Sequence, residues 1–311
     1  MSDFELINES LLRKAELNAR LKLITYDGTP EIKTVSGQRY LYIRNRIGSR
    51  VTSTYVGKYS DELYRLLIKD TAEARLIRKE LRAIDKKLAD TGYQESELSP
   101  RVIQNIAFAR ANMKVSIYDQ AVLEGVATSF PQTEAIIDNG KVSGMTASDV
   151  QKILNLKHAW EFVLDSDIIQ ADSNYHLLCH IARIVNEGFF ADGGRIRGVP
   201  VAIGGTSYIP PIPFESSVRE QIDHIVEIQK DDIEIAIDLC LFIMKTQIFI
   251  DGNKRASVIF ADHYLISHGS GFLVIPEKLV SRFKNLLIEY YEGEDDSALR
   301  AFLKGECWHQ F

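Results

Sequence analysis

The apolar positions of the chain fall into two regimes that change near residue 100. In the first, short and dissimilar patterns follow one another. Residues 1–35 hold a short amphipathic helix, Leu11 to Leu23, and an irregular segment. Arg39 to Lys58 reads as a β-hairpin with Gly48-Ser49 as its two-residue turn. That register puts Leu41, Ile43, Ile47, Thr54 and Val56 on one face and Tyr42, Arg44, Arg46, Ser53 and Tyr55 on the other. Residues 60–90 predict a long charged helix in which Ile77, Leu81, Ile84 and Leu88 form a short apolar seam. Asp90-Thr91-Gly92-Tyr93 ends it, and Ser99-Pro100 marks a domain boundary.

From residue 100 onward the spacing is helical almost throughout. It predicts helices over 101–113, 115–127, 133–138, 146–164, 173–187, 215–228, 231–247, 253–268, 276–291 and 295–303. One region breaks the pattern: Gly188 to Pro213 is rich in Gly and Pro, and its Arg195–Ile203 part reads as a short extended hairpin. A mainly α bundle with one small β insertion is the expected architecture.

Two apolar helical runs, Ile233 to Met244 and Ala256 to Ile266, flank the stretch Phe249-Ile250-Asp251-Gly252-Asn253-Lys254-Arg255. Helix, tight turn, helix is the reading, with Gly252 and Asn253 at the start of the second helix. Free backbone N–H groups and the positive end of the helix dipole suit a phosphate there. Lys254 and Arg255 in that first turn oppose the dipole unless an anion compensates. Asp251 beside them is a candidate ligand for Mg²⁺, which takes one or two carboxylates together with phosphate oxygens. The cluster points to a nucleotide-phosphate site.

Composition narrows the field. The 311 residues are 45% apolar and 26% charged, as in ordinary globular proteins. A net charge of −6 gives no global electrostatic reason to expect nucleic acid. Cys179, Cys240 and Cys307 are odd in number and lack metal-ligand spacing, which suggests a reduced, cytoplasmic setting. No apolar run reaches membrane-spanning length, the best being interrupted by Asp238 and Lys245, and the polar start of the chain lacks a secretory pattern.

The Phe249–Arg255 stretch resembles the signature of the Fic/Doc (Fido) family, His-x-Phe-x-Asp/Glu-Gly/Ala-Asn-Gly/Lys-Arg. Phe249, Asp251, Gly252, Asn253, Lys254 and Arg255 match, and Gln247 stands where the family has its catalytic histidine. The resemblance implies a Fic-fold helical bundle with a β-hairpin flap over residues 96–311, with a core at about 115–275. It leaves residues 1–95 as a separate β-hairpin and charged-helix region. It also implies binding of ATP or another nucleoside triphosphate with Mg²⁺ on Asp251, and phosphate contacts from Gly252, Asn253, Lys254 and Arg255. The implied activity is transfer of AMP to a Ser, Thr or Tyr hydroxyl of a target protein. Val201, Ala202, Ile203 and Gly204 resemble the flap that docks the target by strand addition. Glu124-Gly125 resembles the second half of the family's inhibitory-helix motif, although Gln120 and Val258 replace its hydroxyl residue and its arginine partner.

Gln247 governs the expected activity. A histidine can take the proton of the attacking hydroxyl near neutral pH, whereas an amide oxygen is too weakly basic. Loss of a general base lowers rates by about 10²–10⁴. The site is thus expected to be impaired or inactive as a nucleotidyltransferase, and the residues leave a nucleotide-binding regulatory pseudo-enzyme open. Lys254 adds a third reading, since a Lys there resembles Doc-like members that transfer the γ-phosphate. The Tyr/Arg face of the N-terminal hairpin suits a nucleic-acid or acidic-protein partner, or is a solvated face on which Arg stems pack over Tyr rings.

Overall fold

The computed structural model describes residues 3–47, 50–91, 93 and 98–310, and the chain divides into two compact units, Met1–Glu95 and Ser96–Phe311. In the first unit α1 (Asp3–Leu23) is followed by three antiparallel strands in the order β1 (Thr29–Val35), β2 (Gln38–Ile47), β3 (Arg50–Lys58), and by α2 (Asp61–Asp90). The predicted seam is real: Ile77, Ile84 and Leu88 of α2 bury against Leu17, with Ile7 and Leu11 of α1 packed beside them. Ile7 extends the apolar stripe, so α1 begins earlier than the Leu11 expected from spacing alone. Behind the sheet, Leu41 and Ile43 bury against Leu67.

β1 is a strand that the hydrophobic pattern did not announce. Its Ile32 and Val35 are 42% and 52% exposed, so burial does not alternate along it. Its order comes from pairing, Glu31 opposite Tyr42 and Lys33 opposite Tyr40, and from a Ser36-Gly37 turn with φ of 50° and 77° at its two central residues. Pro30, which lacks a ladder N–H, is tolerated because β1 is an edge strand. Thr54, expected on the covered face, is exposed. The Gly48-Ser49 turn and Gly92 lie outside the described residues.

The second unit is helical: α3 (Pro100–Leu123), α4 (Phe130–Ile137), α5 (Ala147–Val163), α6 (Ser166–Ile169), α7 (Tyr175–Val185), α8 (Glu215–Glu227), α9 (Asp232–Thr246), α10 (Asn253–Ser267), α11 (Val280–Tyr291) and α12 (Ser297–Phe302). Two short strands, β4 (Phe272–Leu273) and β5 (Trp308–His309), pair near its end. The helices expected over 101–113 and 115–127 are one, because Lys114 between them is no breaker; it pairs with Glu134 and Asp138 while the helix runs through. α3 stops at Leu123, short of the expected 127. Gly125, at φ 78°, donates its N–H to the Val122 carbonyl and Val126 donates to Ala121, the two bonds of a Schellman ending. That ending fixes Glu124 at the helix terminus.

α10 is the axis of this unit. From Arg255 to Ile266 every residue is buried, and α9, α7, α3 and α5 pack around it. A helix hydrophobic on all sides belongs in an interior, and its polar members must then find partners. His263 does so between the Ser173 hydroxyl, 2.8 Å from Nδ1, and the Ile168 carbonyl, 2.7 Å from Nε2. The carbonyl can only accept, so Nε2 carries the proton and the Ser173 hydroxyl donates to Nδ1. Burial pulls the His263 pKa down to about 4.

A pH prediction follows from the sign of that shift. Between about pH 6.5 and 4 the unfolded chain binds a proton at His263 and the folded chain does not, so stability falls as pH falls through this window, by on the order of 3 kcal/mol. Asp262, whose buried carboxyl is pushed well above the usual carboxylate range, acts with opposite sign. Urea unfolding of the wild type beside His263→Asn isolates the histidine: the loss between pH 7 and pH 4 is expected to be smaller in the variant. Equal losses would exclude the buried neutral histidine.

Candidate functional site

The stretch between α9 and α10 is a tight crossing held by three side chains. α9 ends on Gln247 in the left-handed region, φ 50°, a conformation that costs a non-glycine residue roughly 1–2 kcal/mol. Asn253 braces the turn from inside: its Oδ1 accepts from Phe249 N–H at 2.9 Å, and its Nδ2 donates to the Phe249 carbonyl and to Gln247 Oε1 at 2.8 and 3.1 Å. Phe249 is fully buried beneath. Gly252, φ 74°, caps α10, and here glycine is obligatory for a second reason. A Cβ would lie 2.7 Å from Oδ1 of Asn186. Asn186 itself is wholly buried and donates to the carbonyls of Asp251 and Gly193, both at 2.9 Å.

Arg255 is 2% exposed and meets an acceptor on each side. Its Nε donates to Glu124 Oε2 at 3.1 Å, Nη1 to the Val185 carbonyl at 2.7 Å, and Nη2 to Asp251 Oδ2 at 3.0 Å. Lys254 Nζ lies 3.5 Å from the other Glu124 oxygen, which is buried and makes no hydrogen bond of its own. Gly252 at the N-cap of α10 has no side chain to cap the helix, and among the described residues its first N–H groups are left for another acceptor. They face a cleft of about 390 Å³.

The structure places the sequence-predicted residues as follows. Glu124, Gln247, Asp251, Gly252, Asn253 and Lys254 line one side of the cleft, and Val201, Ala202, Ile203 and Gly204 line another. Asn253, read as a phosphate contact, turns its amide into the loop; only its backbone N–H remains at the helix start. Arg255, also read as a phosphate contact, is paired with Glu124 through its Nε. Asp251 is half-exposed, and one of its oxygens is taken by Arg255. Gln247 uses both ends of its amide internally, donating from Nε2 to the Met244 carbonyl at 2.6 Å and accepting from Asn253.

The Arg195–Ile203 segment, expected as a hairpin, contains no strand. It is tied instead by Arg197, which the sequence reading passed over. Arg197 is 4% exposed, and among the described residues no acid pairs with it. Its guanidinium donates to the carbonyls of Gln247 (2.5 Å), Val199 (2.7 Å) and Pro211 (2.6 Å), and more weakly to Pro210 and Thr246. Its backbone N–H donates to Ile248. A cation on the last carbonyls of α9 also complements that helix's dipole. Burial lowers the Arg197 pKa, though far from any loss of charge. Also unforeseen is the third wall, Lys284, Leu287, Ile288 and Tyr291 of α11. Their 3- and 4-residue spacing marks one helix face, the available signal. Burial pushes the Tyr291 phenol well up.

Residues 172–265 match the Fic/DOC family model. These residues are a Fic/DOC family domain. Residues 5–65 match a domain of unknown function (DUF6788). Over 220 residues the chain is 20% identical to the protein adenylyltransferase Fic of Drosophila grimshawi, which covers 68% of this chain and 45% of that protein. The chain thus spans less than half the length of that relative. Among solved structures it is similar to a Fic family protein from Desulfovibrio desulfuricans (TM-score 0.54, 16% identity, 68% of this chain and 74% of that one). It is also similar to Fic-1 from C. elegans (TM-score 0.51, 19% identity, 78% and 79%) and to a Fic-domain signalling protein from Bacteroides thetaiotaomicron (TM-score 0.52, 17% identity, 65% and 80%). At these identities the likeness is one of fold. Among the described residues no helix is long and apolar enough to cross a membrane.

Arg197 tethers the segment leading to Val201–Gly204 of the Fic domain, so its removal should free that segment. Arg197→Ala is expected to lose at least about 2 kcal/mol, because several buried carbonyls lose a charged donor. Limited proteolysis should then cut within residues 198–211 much faster than in the wild type. An unchanged cleavage pattern would refute the tether.

Proposed function

We propose that the cleft binds the phosphates of a nucleoside triphosphate, ATP first among them, and that the protein is a relative of protein adenylyltransferases with impaired or lost transfer. The observation that carries this is the uncapped start of α10, opening with Lys254 into the cleft. Backbone N–H groups, dipole and cation converge there on a space that suits a phosphate chain. The walls formed by Val201–Gly204 and by α11 would enclose the remainder of the nucleotide.

Asp251 fits Mg²⁺: it is half-exposed on the cleft wall, and the ion needs only one or two carboxylates when phosphate oxygens complete its shell. When bound, Mg²⁺ would neutralise charge on the phosphates. Glu124 works against the whole arrangement. It occupies Arg255 and sits beside Lys254, so an entering phosphate must displace it or be repelled. In this reading Glu124 is inhibitory through the signature arginine itself, since Val258 offers no second one.

Transfer to a target hydroxyl requires a base near the attacking oxygen. Gln247 offers none, its amide being held at both ends. Positioning and phosphate electrostatics remain, so residual transfer is small, and a nucleotide-sensing role accounts for the retained cluster. Val201–Gly204, outside any sheet, would receive an extended piece of a target protein. The three free cysteines fit a reducing, cytoplasmic setting.

Calorimetric titration tests the binding step. Glu124→Gly is expected to bind Mg–ATP at least tenfold more tightly than the wild type, and Lys254→Ala in that background to lose most of the gain. Absence of binding of ATP or any other nucleoside triphosphate to Glu124→Gly would sink the proposal. A second measurement addresses chemistry. Gln247→His combined with Glu124→Gly is expected to raise label transfer to protein by roughly 10²–10⁴ over Glu124→Gly alone. Label from the α-phosphate signifies AMP transfer, and label from the γ-phosphate alone signifies phosphotransfer and corrects the assignment.

A further inference from the structure

The charge of this chain is unevenly distributed. Residues 1–95 contain 18 Lys and Arg against 14 Asp and Glu, a net of +4 in a chain whose total is −6. Within that unit the excess sits on the sheet: Thr29 to Lys58 holds six Lys and Arg, and Glu31 is the sole acid.

Strand pairing resolves where these side chains lie. Residues directly opposite one another share a face, so Lys33, Tyr40 and Lys58 form one cross-strand row, Glu31, Tyr42 and Tyr55 the next, and Arg44 with Ser53 the third. Leu41 and Ile43 point the other way, onto Leu67 of α2. The face away from α2 is therefore both aromatic and basic. Its tyrosines buttress one another: Tyr42 and Tyr55 meet edge to face at 5.5 Å, and Tyr40 lies 6.1 Å from Tyr55. Lys33 Nζ stands 4.4 Å from the Tyr42 ring. Tyr55 nevertheless remains 54% exposed, so this cluster leaves one of its rings largely open to solvent.

We propose that this face is a binding platform for single-stranded nucleic acid. Cations alone would serve any polyanion, an acidic peptide included. The mutually supported rings add a second requirement, a ligand with flat apolar faces to lay against them. A duplex keeps its bases stacked on each other and offers only their edges, which leaves the tyrosine faces idle. Unstacked bases joined by phosphates satisfy rings and cations together. The proposal is independent of the cleft and of nucleotide transfer.

Fluorescence anisotropy of the full chain with a labelled 15-nucleotide single strand, DNA and RNA in turn, tests it. Competition by an unlabelled duplex of the same sequence and by poly-glutamate supplies the alternatives. Binding is expected, with affinity falling roughly fiftyfold between 50 and 200 mM salt if Lys33, Arg44, Arg46 and Lys58 each engage a phosphate. Tyr42→Ala and Tyr55→Ala should each weaken it about tenfold or more, while Tyr42→Phe and Tyr55→Phe, which keep the ring, should not. Arg44→Glu, at an exposed position, gives a loss that does not depend on the rings. No binding, equal or better competition by duplex or poly-glutamate, or Ala variants that bind like wild type while Arg44→Glu does not, would each overturn the platform.

Discussion

A guanidinium in a protein interior has to be surrounded by acceptors, and Arg255 at the start of α10 imposes that demand on the whole site. Its acceptors come from three separate places: Glu124 at the end of α3, the carbonyl of Val185 at the end of α7, and Asp251 in the turn before α10. Each place is fixed by local chemistry. Gly125 closes α3 so that Glu124 falls at its terminus, and Gly252 starts α10 where a side chain would strike Asn186. The geometry of the cleft is thus the outcome of satisfying one buried charge. Among incoming groups, a phosphate oxygen is the kind that can replace a carboxylate there without stranding the arginine.

Arg197 solves the same problem by other means. Its donors are shared among backbone carbonyls of the α9 ending and of the segment around residues 199–211. This joins the left-handed Gln247 to the wall that carries Val201–Gly204. Strain at Gln247, hydrogen bonds from Arg197 and the Asn253 brace form one connected arrangement. The amide of Gln247 belongs to that arrangement as a structural group, which is why it has no free polar end to turn toward a substrate.

How far this was legible from the residues depended on where each polar group finds its partner. α9 and α10 were plain because a turn of Asp, Gly and Asn separates two runs of helical apolar spacing. The acid, glycine and cations of that turn are neighbours in sequence, so the site's core could be read linearly. The role of Asn253 could not, because its hydrogen bonds close a loop whose shape the letters do not state. Arg197 looked like one charged residue in a Gly- and Pro-rich stretch, and its donors are matched entirely by backbone carbonyls, which every residue has. β1 was hidden for a related reason: its order lies in pairing with β2, and its exposed Ile32 and Val35 break the alternation that marks a half-buried strand. Lys284, Ile288 and Tyr291 were visible as one face of a helix, though not as a face turned toward this cleft.

Net charge misleads for the same reason that linear pattern does: it sums over places that act separately. A value of −6 argues against nucleic acid only if the charges are mixed, because the field falls off within about 8 Å at physiological salt. A strand pair spaces its rows by a few ångströms, so the four cations Lys33, Arg44, Arg46 and Lys58 on one face of a small sheet are felt together while distant carboxylates are screened. An exposed Tyr55 among those cations would be an expensive choice for a face that met only water, since an aromatic ring left in solvent forgoes the burial that favours it. The composition of that sheet is better accounted for by a ligand with both charge and flat rings than by solvation.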